Sequence, residues 1–272
     1  MTRLFDMTIG QDHELKLALQ NAGMTLEDAV QVGGNPQLAA KMVAALRVDS
    51  PMRAYPDRDF SRYNQYLRPL SEQLEVLRDL NRRMPSKLRV SDAWLDLDTA
   101  SDHVQGVEDL ETFFVSFDLL EPTWAFSQKL VELTQPAIYD SGFRKDAANM
   151  RLHSTARRYA PGIHRVRINL VDNWDPENGR NVEQVRERAV SKQLGAVEPI
   201  GAYALQDPRL YQSQDGENLP YFDCAGIEQG DGFRQAPYSY WDGLNREVYF
   251  CSGSADSVDS IFAAPSLVWR SA

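Results

Sequence analysis

The chain has 272 residues, of which 43% are hydrophobic and 25% charged, and a formal net charge of −10. That mixture belongs to a globular protein and excludes a coiled-coil rod, a collagen-like fibre, a disordered acidic tail and a disulfide-stapled miniature fold. No run approaches the roughly 18–20 apolar residues of a bilayer span. The first residues lack an apolar stretch of signal length, and Cys224 and Cys251 are too few for a disulfide framework. A cytoplasmic protein with reduced thiols and no membrane partner is expected.

The first 48 residues read as a three-helix module. Leu15, Leu19 and Ala22 share a helical face that stops at Gly23. Thr25 opens a second helix, with Asp28 three positions on, that Gly33-Gly34 is expected to end. Asn35 and Pro36 then open a third that runs to about residue 47. Residues 49–68, with two prolines, alternating charge and no sustained period, read as a linker. The remainder, 69–272, is expected to be an α+β domain: a mixed or antiparallel sheet with packed helices.

Within it, Ser71 caps a helix to about Arg83 with Leu74, Leu77 and Leu80 at three-residue spacing. Strands are predicted over 112–119 and 163–171 from their aromatic and β-branched content, with a helix over 123–134 between them. Asn181 caps a helix over 182–193, and a short helix follows near 198–206. The turn pairs Asp215-Gly216, Asp231-Gly232 and Asp242-Gly243 separate short strands at 219–225, 246–251 and 260–269.

Asp96, Asp98, Asp102 and His103 form the one acidic cluster with ligand chemistry. Asp96-Leu97-Asp98 resembles the nucleophile loop of haloacid-dehalogenase-type phosphotransferases, which implies an attacking aspartate beside Mg²⁺. Thr99 follows Asp98 at once, where that family places its threonine further on. Without that fold the same oxygens suit a divalent cation, and on a strand Asp96 and Asp98 would point to one side. A metal-dependent hydrolase or phosphotransferase is the enzyme reading this cluster supports. Asp172 to Glu183 has the length of a calcium loop, but Glu177 replaces the sixth-position glycine and Trp174 and Pro176 supply no side-chain oxygen. That segment reads as a strand-to-helix turn.

The charge is uneven. Residues 101–150 and 201–272 each carry six excess negative charges, whereas 151–200 is net +3. In that basic window Arg157, Arg158, Arg165 and Arg167 are candidates for gripping phosphates of a nucleic acid; on a strand, Arg165 and Arg167 share a face. The alternative is an ion-paired face that meets the acidic segments. The last third is dense in Tyr and Trp, among them Tyr221, Tyr238, Tyr240, Tyr249 and Trp269. Amphipathic rings there suit interfaces and sugar-like ligands, or simply make strands.

No nucleophile elbow, zinc-protease helix, phosphate loop or dinucleotide fingerprint is present. Arg167 to Val171, Trp174-Asp175-Pro176, Val182 to Arg186 and Asp215 to Tyr221 resemble segments of uncharacterised bacterial proteins of similar size. The resemblance spans about the last 110 residues; it implies a bacterial source and assigns no activity. The leading expectation is a binding protein that meets a protein partner through its helical module or its aromatic sheet.

Overall fold

In a computed structural model the chain divides into two units, Met1–Ser50 and Pro51–Ala272. The structure describes residues 58–96, 106–140, 149–189, 193–230, 232 and 234–268, together with Thr25, Val30 and Gly34. The three predicted amino-terminal helices therefore lie almost wholly outside the described residues. Gly34, expected to end the second helix, is itself helical.

The second unit has both helices and multi-stranded sheets, an α+β fold. Within the stretch read as a linker, Phe60–Tyr66 winds into a 3-10 helix, because Phe60 and Tyr63 have an apolar core to enter. Helix α1, Leu70–Arg83, buries Leu70, Leu74, Leu77 and Leu80 along one stripe, as a 3.6-residue period demands. Its buried Gln73 donates to the carbonyls of Arg68 (2.8 Å) and Glu111 (3.1 Å) and accepts from Thr112 Oγ1 (2.9 Å). An amide in the core is tolerated only when so satisfied, and here it pins α1 to the first strand.

Strand β1, Leu110–Ser116, pairs antiparallel with β4, Gly162–Asn169, and β10, Ser266–Leu267, adds to the far edge of β4. Both long strands match the predicted ones within three residues at each end. Helix α2, Leu120–Thr134, and helix α4, Glu198–Leu205, pack on β1 and on each other. All eight residues of α4 are buried. Helix α3, Val182–Arg188, begins at a reciprocal capping box between Asn181 and Gln184. It ends five residues earlier than the periodicity suggested. Helix α5, Pro208–Gln212, follows α4 directly.

The second sheet has five strands in the order β2-β8-β7-β5-β9: Ile138–Asp140, Glu247–Ser254, Gln235–Asp242, Tyr221–Asp223 and Phe262–Ala263. One face packs on the helices, with Phe250 against Trp124 of α2 and Phe222 stacked on Tyr203 of α4 and tilted on Tyr211 of α5. The Tyr211 hydroxyl bonds Ser239 Oγ behind the sheet. A short two-stranded ribbon, β3 (Arg151–Leu152) with β6 (Ile227–Glu228), completes the set.

Two strand expectations are corrected. Gln235–Asp242, which no predicted strand covers, is a central strand; Pro237 has no ladder donor to give but accepts from Cys224 N at 2.7 Å. The single strand expected over 260–269 is two strands of two residues in different sheets, bent at Ala264-Pro265.

Candidate functional site

The residues singled out by sequence scatter. Asp98, Asp102 and His103 lie outside the described residues. Asp96 follows the short 3-10 helix Asp92–Leu95 with its side chain 92% exposed, 4.0 Å from the Arg78 guanidinium. Among the described residues no group of three or more His, Cys, Asp or Glu is placed to hold a metal. Arg165 is engaged bidentately by Glu111, Nε to Oε1 at 2.6 Å and Nη2 to Oε2 at 2.9 Å. Arg167 lies 3.4 Å from Asp109 and 3.9 Å from Glu111. These two share a sheet face, as the alternation implied, and on it they meet carboxylates of β1 and the turn before it. Arg157 lies over the Tyr159 ring, 5.0 Å from its centroid, and Arg158 is exposed.

A different constellation converges on the outer face of the five-stranded sheet. Side chains alternate along a strand, so burying Phe222, Ser239, Trp241, Val248 and Phe250 turns Tyr221, Asp223, Tyr238, Tyr240, Tyr249 and Cys251 to the other side. Cross-strand register then lines up rings from all five strands. Tyr139 lies 4.5 Å from Tyr249, Tyr249 5.0 Å from Tyr240, and Tyr240 4.9 Å from Tyr221. Phe262 of β9 stands nearly perpendicular to its neighbours, at 70° to Tyr238 and 62° to Tyr221. Tyr139 is 44% exposed and Tyr221, Tyr238, Tyr240, Tyr249 and Phe262 are half-buried. Contiguous apolar surface on a water-exposed face is a common feature of interaction sites.

At one end of this face a pocket of about 430 Å³ forms between the tyrosines, the start of α3 at Val182 and the 253–262 segment. Its carboxyl groups are Asp223, half-buried on β5, and Asp259, exposed on the loop after β8. The loop that carries Asp259 is tied to the 174–183 turn. Trp174, fully buried, donates Nε1–H to Ser260 O at 2.8 Å, and Arg180 and Asp259 exchange two backbone hydrogen bonds of 3.1 Å. Gly179 is required at the crossing: its φ is +67°, and a Cβ there would come within 2.7 Å of Val258. On the opposite side Gly253 leaves room for the Tyr238 ring, since a Cβ would stand 3.3 Å from it.

Burial, reinforced by repulsion from Asp259, pushes the Asp223 carboxyl up to about 8, with Arg186 offsetting part of the effect. Arg186 does not enter the pocket. It is buried, and its donors go to Ala225 O (2.9 Å), Ile227 O (2.5 Å) and Glu183 (3.1 Å). Burial also raises the Tyr238 and Tyr240 phenols, Tyr240 to about 12 and Tyr238 further with a hydrogen bond to Cys251. At neutral pH the pocket thus presents protonated phenols and a protonated Asp223, and no Lys or Arg is among its described lining residues. Neither Cys224, buried beside Asp223, nor Cys251 forms a disulfide.

The sequence reading registered the tyrosines as a composition and passed over Asp223, Asp259 and Phe262. The available signal was the period-two spacing of Tyr221 with Asp223 and of Tyr238 with Tyr240, which puts each pair on one face. No helix of the described residues is long and apolar enough to cross a membrane. No protein-family model matches the chain, and neither a curated protein nor a solved structure does.

Proposed function

We propose that the protein is a binding protein whose ligand is a small molecule seated against the outer tyrosine face of the five-stranded sheet, in the pocket between Tyr221, Tyr238, Tyr240 and Asp223. The observation that carries this reading is the run of rings from five strands on one half-exposed face, closed at one end into a concave pocket. Rings that had only to fill a core would turn to the other face, where Phe222 and Phe250 are fully buried. A few hundred cubic ångströms, mostly apolar walls and a few polar groups are the ordinary features of a small-molecule site.

Gly253→Val tests this. The valine methyls would occupy the space beside the Tyr238 ring, while a β-branched residue suits a strand. A fragment screen followed by thermal shift should return ligands that bind the wild type and lose at least about tenfold in affinity, about 1.4 kcal/mol, in the variant. A cooperative unfolding transition and a circular dichroism spectrum like the wild type's show that the variant is folded. Ligands that bind both proteins equally would place binding elsewhere and remove the proposal.

A further inference from the structure

Resting on the reading of this pocket as the binding site, we infer that its ligand is an organic cation, a methylated or alkyl-substituted ammonium, held between the aromatic rings and the Asp223 carboxylate. Three observations select that class. The rings do not form one flat shelf, which would suit a planar partner. Phe262 meets Tyr238 at 70° and Tyr221 at 62°, so the walls form a corner that fits a rounded, tetrahedral group. Ring faces carry negative electrostatic potential and attract a cation with methyl groups more than a hydrated anion. Among the described residues, the ionisable side chains of the lining are the acids Asp223 and Asp259 and the tyrosine phenols, with no Lys or Arg. The chain as a whole carries a net charge of −10, which adds a favourable long-range field.

The groups around Asp223 fix how such a ligand would bind. From the loop after β8 it faces the Asp259 carboxylate, and from α3 Arg186, whose charge is shared with Glu183 and Glu228. From β7 it faces Tyr238, hydrogen-bonded in turn to Cys251 of β8, and on its own strand end it adjoins Cys224. In this setting Asp223 keeps its proton near neutral pH. An arriving cation replaces that proton as the counter-charge. The carboxyl O–H bond breaks, the proton passes to solvent, and the carboxylate pairs with the ammonium.

Titration calorimetry of the full chain compares choline with its uncharged isostere 3,3-dimethyl-1-butanol. It is run at pH 6 and pH 8.5, in buffers of different ionisation enthalpy so that released protons are counted. Choline should bind at least about tenfold more tightly than the alcohol at pH 8.5. Its affinity should rise at least about tenfold from pH 6 to pH 8.5, with close to one proton released per choline at the lower pH. Asp223→Asn should remove both the proton release and the pH dependence, and a circular dichroism spectrum like the wild type's confirms that it is folded. Equal affinity for choline and the alcohol would overturn the cation inference and leave the pocket reading standing. Choline binding without proton release, or unaltered by Asp223→Asn, would also overturn it. Failure of both probes overturns it too, and the fragment screen with Gly253→Val then decides separately whether the pocket reading falls as well.

Discussion

Trp174→Ala is expected to destabilise the second unit by about 3–5 kcal/mol, the range for removing a large aromatic from a core. The ring is fully buried and lies 6.2 Å from Phe60. The Arg58 guanidinium sits 4.3 Å above it, and its Nε1–H serves Ser260 O. Alanine would leave a cavity, a carbonyl without its donor and an arginine without its aromatic platform. The damage reaches the pocket, because the Ser260 carbonyl belongs to the loop that presents Asp259 and Ile261. Urea unfolding measures the loss. A change below about 1.5 kcal/mol would show that the 174–183 turn does not hold that loop in place.

The second large effect concerns pH. Burial pushes the folded carboxyl of Asp223 up to about 8, far above the ordinary aspartate value of 3.8 that holds in the unfolded chain. The folded state therefore retains a proton that the unfolded state has already released. Its contribution to stability is fully present below about pH 4 and declines as pH rises towards 8. Asparagine resembles the neutral acid and has no charge to bury. Asp223→Asn should then be more stable than the wild type at pH 9 by about 2–4 kcal/mol, discounted from the full shift for local relaxation. At pH 4 the two should differ little. Denaturant midpoints recorded across that range test the sign directly; a wild type as stable as the variant at pH 9 would mean that Asp223 is ionised at little cost.

How far the sequence led depended on whether a signal was local. The stripe of α1, the strands near 112 and 163, and the helix cap at Asn181 are set by neighbours three or four residues away or by simple alternation. Each was legible. Gln235–Asp242 was not, because Pro237 speaks against a central strand when the partner that uses its carbonyl, Cys224, is out of view. The strands at 262 and 266 were merged because nothing in their composition shows that the chain passes from one sheet to the other at Pro265.

The site followed the same division. Arg165 and Arg167 were correctly placed on one face, but their carboxylate neighbours come from β1 and the turn before it, more than fifty residues away. Asp223 looked like one acid among many. What distinguishes it is burial, the nearness of Asp259 and a ring surface assembled from strands spread between residues 138 and 263. All three are properties of tertiary contacts rather than of any sequence window.

The measurement closest to the central claim is aromatic ring NMR on protein labelled in tyrosine and phenylalanine, recorded as a binding fragment is added. Binding at the outer face predicts that the largest shifts fall on Tyr221, Tyr238, Tyr240 and Phe262. Smaller ones would spread to Tyr249, and Tyr203, Tyr211 and Phe222 on the helix-covered face would stay unchanged. Shifts confined to rings away from the 221–262 face, with Tyr238 and Tyr240 unmoved at saturation, would contradict the account.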